Sequence, residues 1–350
     1  MTGWDVLVSR ADLTRTKVRA AEAPVLAEGE VLLAVERFSL TANNITYGAI
    51  GDMLGYWQFF PAPEGWGRIP VWGFATVVAS RAPGVAEGLR LFGYLPMSSH
   101  VVMQLVPAGS GYVDAAGHRA QLPPTYNQYT AAPAHPSDDH LALLRPLFFT
   151  SWLLNDLIET SDWSPATVIL TSASSKTALG LAWMLTRRDV KVIGLTSPRN
   201  RAFVEGLGWY ASVATYDQAG DLQAEGPAVL VDFAGDRTLI ARLHTALAGK
   251  LVHSAIVGVT HWEAGPGGRD ATIPDPQPAL FFAPDQIRKR SAEWGAGVLF
   301  DRIGVDMQAF VEAAGWLKLD HRAGAEELTR AYGDLVHGRV APDSGLIITT

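Results

Sequence analysis

From residue 168 onward the chain alternates short apolar runs with helical patterns, and this alternation constrains the fold more than any other feature. Runs rich in Val, Ile and Leu at 168–170, 192–195, 229–231 and 251–257 read as buried strands. Helical patterns at 176–186, 198–207 and 238–248 lie between them. Strands separated by helices do not pair as hairpins. Each helix crosses over the sheet, which makes the strands parallel and covers both faces. The sequence predicts an α/β fold on a doubly wound parallel sheet, entered through the helical pattern "RPLFFTSWLLNDLIE". Ser197-Pro198 reads as a capping hydroxyl before a first-turn proline, with Gly208 near the end of that helix.

The first 140 residues follow a different rule. "GEVLLAVERFSL", "IPVWGFATVVAS", "LRLFGYL" and "SHVVMQLVP" are short strand-like runs bounded by Gly or Pro, the pattern of a small barrel or sandwich. Two long stretches, 41–67 and 111–139, are aromatic and poorly periodic. Their Tyr and Trp content argues for packed loops walling a cleft rather than for disorder. The tail from 324 reads as a helix, a loop and a final strand. At 350 residues the chain has room for two domains.

The net charge of −7, with no block of like charge, gives no surface for nucleic acid or an anionic membrane. There is no cysteine, so disulfides, thiolate-held zinc and a cysteine nucleophile are all excluded. The nine histidines lack ligand spacing, and no metal site is expected. Charges near the N-terminus and the lack of an apolar run approaching about 20 residues point to a cytoplasmic protein without a membrane span.

The turn after the first strand, Thr171-Ser-Ala-Ser-Ser-Lys-Thr177, stands where a dinucleotide fold binds phosphate at a helix start. It has no glycine. Ser172, Ser174, Ser175 and Thr177 are small and hydroxylated, and Gly180 and Ala182 suit close packing of the helix on a strand. Lys176 opposes the helix dipole unless an anion binds there. A solvated or carboxylate-paired lysine is the other reading. The second strand ends "VIGLTSPRNR", without the acid that binds the ribose of NAD. Thr196 and Ser197 offer hydroxyls there, and Arg199 and Arg201 offer guanidinium groups suited to a 2′-phosphate. This favours NADP(H).

The order of parts resembles the medium-chain dehydrogenase/reductase superfamily, in its zinc-independent quinone oxidoreductase and enoyl reductase branch. "SLTANNITYG", "GYWQFFP", "GWGRIPVWGF" and "SASSKTALGLA" resemble the DUF2855 family within it. The resemblance implies a β-rich GroES-like catalytic domain at 1–140 with 310–350 and a Rossmann domain at 141–309. By position it implies Thr150 near the nicotinamide, and Ala234, Gly235, Val257 and Gly258 near its ribose. Arg201 takes the usual lysine position and Tyr216 the tyrosine beside the adenosine phosphate. Apart from the resemblance, Phe281 and Phe282 before Ala-Pro read either as a wall of the nicotinamide pocket or as a core aromatic pair. Asn43, Asn44 and Tyr47 fall in the active-site segment as carbonyl-binding or proton-donating groups, with Tyr56, Tyr126 and Tyr129 in the aromatic loops. The implied activity is NADP(H)-dependent reduction of an activated C=C bond or quinone in a small molecule, by a homodimer. A redox-independent lyase or hydrolase on the same fold, or a non-catalytic ligand-binding protein, are the rival readings.

Overall fold

Six parallel strands form one sheet in the order Ser212–Thr215, Lys191–Thr196, Thr167–Leu170, Ala228–Asp232, Leu251–Ile256, Ala279–Leu280. The chain starts at the centre, works outward to one edge, then returns beside its first strand and proceeds to the other edge. This is the doubly wound order that creates a switch point between the first and fourth strands. The computed structural model describes residues 3–22, 24–257 and 272–350. Two units are delimited, Leu144–Trp316 and Met1–Leu143 with Leu317–Thr350.

In the sheet unit the two central strands are fully buried along their length, which is why they read as unbroken apolar runs. Their side chains alternate between two cores. Ile169 and Leu230 face Leu239 and Leu243 of the helix Arg237–Ala246. Val168, Leu170, Val229 and Val231 face Leu181, Ala182 and Leu185 of the helix Lys176–Leu185, together with Leu154 and Ile158. The outer strands Ser212–Thr215 and Ala279–Leu280 have four and two residues, too short to show a period in the sequence.

Gly180 packs differently from the sequence expectation. A Cβ there would meet Ser151 Oγ at 2.7 Å and Phe148 Cδ2 at 3.2 Å, so its neighbour is the helix Asp138–Thr160, not a strand. That helix has 23 residues and contains Pro146. A proline cannot donate to the carbonyl four residues back. The freed carbonyl, on Ala142, accepts instead from the buried hydroxyl of Ser39 at 2.8 Å. By length and composition this helix could cross a membrane, a property the sequence reading missed because Arg145, Asn155 and Asp156 interrupt it. Within the protein 67% of its apolar window is buried, as in a core helix.

The other unit is built on antiparallel pairing. Val31–Leu40, Pro70–Ser80 and Arg90–Pro96 pair in succession, and Gln128–Ala131, Gly111–Asp114 and Leu105–Ala108 extend the sheet. The final strand Ser344–Thr349 pairs antiparallel with Val31–Leu40 and parallel with Lys318–Ala323. The tail thus helps to build the β-rich unit, and the polar strand Lys318–Ala323 is one the sequence pattern did not reveal.

His244 has no exposed surface. Its Nδ1 lies 2.8 Å from the Pro274 carbonyl and its Nε2 2.9 Å from Ser254 Oγ. A carbonyl only accepts, so Nδ1 carries the proton and Nε2 accepts from the serine. Burial lowers the imidazole pKa, so the fold prefers the neutral ring. The stability from this preference is present above the unfolded value of about 6.5 and is lost as pH falls below it. Thermal melts of the wild type and His244→Gln should therefore differ most near pH 7.5 and converge toward pH 5.5. For Gly180→Ala, overpacking against Ser151 should cost about 1–3 kcal/mol in urea unfolding, without a change in m.

Candidate functional site

The turn after the strand Thr167–Leu170 keeps the backbone of a glycine turn without the glycine. Ser172 sits at φ 46°, in the left-handed region that glycine normally fills. Its Oγ lies 3.4 Å from the Tyr216 hydroxyl, so the structure brings these two predicted residues together. Burial pushes the Tyr216 phenol pKa up, and the bonds to Ser172 oppose this. Ser175 is the N-cap of the helix Lys176–Leu185, and its Oγ accepts from the Ala178 N–H at 3.3 Å. Ser174 Oγ accepts from Asn200 Nδ2 at 3.0 Å. The Thr196 hydroxyl lies 3.4 Å from the same oxygen. Lys176 and Thr177 are half-buried in the first turn.

Beneath this turn lies the switch point. Asp232 ends the fourth strand with no exposed surface. Thr171 Oγ1 donates to its Oδ1 at 2.6 Å and accepts from the N–H groups of Phe233 and Ala234 at 2.9 and 3.1 Å. The Gly235 N–H donates to Oδ2 at 2.9 Å. Burial pushes the carboxyl pKa up, while these bonds pull it down. The position of Ala234 follows from this network.

At the end of the second strand Ser197 does not cap. It precedes a short turn, Pro198–Asn200, without a side-chain cap bond. Its Oγ is buried and finds no hydrogen-bond partner among the described residues. Such an atom marks a place for an outside partner. Arg199 is exposed on the following turn. Arg201 pairs with Glu205 at 2.8 Å. Gly208, at φ 70°, ends the helical segment as the sequence indicates.

Thr150 is half-buried on the helix Asp138–Thr160, and Val257 is half-buried beyond the strand Leu251–Ile256. Val257 and Phe281 both pack on the core beside the first strand. Phe282 is the N-cap position of the helix Ala283–Trp294. Arg290 on that helix is buried, not solvated, and pairs with Asp156 at 2.6 Å. Gly258 lies outside the described residues.

In the β-rich unit the segment carrying Asn43, Asn44 and Tyr47 is a helix, Ala42–Ala49, rather than a loop. Asn44 is the third helical residue of a capping box whose N-cap is Thr41. Its Oδ1 accepts from the Thr41 N–H at 2.7 Å and its Nδ2 donates to the Pro70 carbonyl at 2.8 Å. Asn43 and Tyr47, four residues apart, share a helix face.

Tyr47 lies in an array of rings. Its centroid is 4.7 Å from Tyr56, 5.5 Å from Tyr94 and 6.4 Å from Tyr126. The Trp72 indole N–H donates to its hydroxyl at 3.3 Å. The hydroxyls of Tyr56 and Tyr126 lie 3.2 Å apart, and Tyr126, half-buried, lies over the other rings. Burial pushes the pKa of all four phenols up, so they remain protonated donors at neutral pH. Arg119, 2% exposed, fixes the loops from below. It donates to the Phe59 carbonyl at 3.1 Å and pairs with Asp114 at 3.2 Å. Tyr129 belongs to this scaffold. Its hydroxyl donates to the Tyr94 carbonyl at 2.7 Å and accepts from Arg119, and its pKa is pushed up to about 12.

A family model described as "Protein of unknown function (DUF2855)" matches residues 38–341. The chain belongs to the DUF2855 family. This DUF2855 chain shares its fold, a GroES-like unit and a Rossmann unit, with the following solved structures. CurA from Vibrio vulnificus is 15% identical with a TM-score of 0.65, over 100% of this chain and 99% of that one. A mutant form of enoyl thioester reductase from Candida tropicalis is 15% identical with a TM-score of 0.59, over 100% of both chains. CurA in complex with NADPH is also similar, at 13% identity and a TM-score of 0.63 over 99% of both chains. No curated protein matches the sequence.

Replacing Thr171 by Val should cost about 2–3 kcal/mol in chemical unfolding. It leaves a buried carboxylate and two backbone N–H groups short of a partner.

Proposed function

We propose that this chain is an NADP(H)-dependent, zinc-independent reductase of an activated C=C bond or a quinone-type small molecule. The observation that carries the reading is the second-strand end. A buried Ser197 hydroxyl without a partner among the described residues stands beside exposed Arg199, with no acid to select an unphosphorylated ribose. The left-handed backbone at Ser172 supports it, because a turn of this shape lets a pyrophosphate approach the helix start. The similarity to CurA, solved in complex with NADPH, supports the same cofactor.

In this reading Lys176, Thr177 and the helix N-terminus hold the pyrophosphate. Thr196, Ser197, Arg199, Arg201 and Tyr216 surround the 2′-phosphorylated adenosine. Ser174 and Ser175 shape the turn through their bonds to Asn200 and the helix cap. Thr150, Ala234, Val257 and Phe282 line the nicotinamide side. NADP(H), when bound, supplies the hydride. The tyrosine array supplies the proton, with Tyr47 Oη as the donor, and the aromatic walls exclude water and suit a flat conjugated substrate. The sequence has no cysteine with which to build the thiolate-held zinc site of the alcohol dehydrogenases.

Titration with NADPH and NADH, followed by tryptophan fluorescence, tests the cofactor. NADPH should bind more tightly. Arg199→Ala should weaken NADPH by about 2 kcal/mol, roughly 30-fold in Kd, and leave NADH nearly unchanged. Absence of NADPH binding at millimolar concentration would end this reading.

A further inference from the structure

We propose that Trp72 is a positioning residue that holds the Tyr47 oxygen ready to release its proton. This rests on the reading of Tyr47 as the proton donor and adds the device that makes such a buried phenol usable. Burial alone would make Tyr47 a poor acid. Its side chain is 4% exposed, and losing a proton would leave a negative oxygen among aromatic rings. The surroundings answer that problem at one atom. Trp72 Nε1–H is 3.3 Å from Tyr47 Oη, and an indole nitrogen donates only. The Tyr47 oxygen is therefore the acceptor in this bond, and its own proton points elsewhere. That bond strengthens once the oxygen carries charge.

The indole itself is locked. Trp72 stacks on Phe92 with centroids 5.8 Å apart at 20°, and its ring contacts Tyr94 at 5.1 Å and Tyr126 at 6.1 Å. It sits on the strand Pro70–Ser80, paired directly opposite Tyr94 on Arg90–Pro96. A rigid strand, rather than a loop, thus carries the donor, so no reorganisation is needed as charge develops. In the step itself the Tyr47 O–H bond breaks, the proton passes to the substrate, and the electron pair stays on the phenolic oxygen against the indole donor. The phenol is restored by a proton from solvent.

The test compares Trp72→Phe with Tyr47→Phe in NADPH-dependent turnover of an enone or quinone, together with NMR on the cofactor-free wild type. Trp72→Phe keeps an aromatic ring and removes the N–H together with the indole's second ring. It should lower kcat by about 100-fold with KM within about twofold, and raise the solvent isotope effect on kcat as proton transfer becomes slower. In the cofactor-free chain, Tyr47→Phe should shift the indole N–H resonance of Trp72, since its acceptor is gone. If Tyr47→Phe is inactive while Trp72→Phe keeps wild-type kcat and isotope effect, the inference fails and Tyr47 stands as the donor. If Tyr47→Phe retains full turnover, both the donor assignment and this inference fall, and NADPH binding is untouched. Should Trp72→Phe not fold, the indole shift decides: an unmoved resonance overturns the inference.

Discussion

Asp232 ends the fourth strand of the parallel sheet with no exposed surface, and the crest of that sheet is arranged around satisfying it. A buried carboxylate is tolerated only when its oxygens are bonded. Thr171, the first residue after the first strand, meets one oxygen and at the same time receives two N–H groups from the turn beyond the fourth strand. The two turns flanking the switch point are thereby tied to each other. The start of the helix Lys176–Leu185 and the backbone at Ala234 inherit their places from that tie. The rest of the unit, two apolar cores on either side of the sheet, holds the strands together but does not by itself set the crest.

The parallel sheet was legible because its central strands are buried on both faces and must be apolar throughout. Val168 and Ile169 serve opposite cores, and each leaves the same mark in the sequence. Edge strands carry no such mark. Ser212–Thr215 pairs on one side only and includes an exposed serine, so pattern alone did not find it. The helix Ala42–Ala49 was hidden for another reason. "ANNITYGA" is poor in helix formers, and its start is fixed by Asn44 bonding back to Thr41. The spacing Thr41-x-x-Asn44 was the available signal, a capping box with Thr41 as its N-cap.

The turn at Ser172 shows what the missing glycine meant. The conformation persists and the residue changed, with a hydroxyl next to Tyr216 in place of a bare backbone. Sequence alone registered the absent glycine as a departure. Ser197 was the opposite case. Its place before a proline reads as a cap, yet its oxygen is left over, a distinction that depends on three-dimensional placement. The role of Trp72 was also beyond the sequence, since it depends on which atom of a strand residue meets which atom of a helix residue some 25 positions earlier.

Burial of the tyrosines has a consequence that extends past the site. Of the nine tyrosines, eight have their pKa pushed up by desolvation. In the unfolded chain a phenol ionises near pH 10, so stability tied to these rings is present below that pH and drains away as it rises. Alkali therefore ionises these phenols at the expense of the fold, and base weakens the protein at many of its rings together.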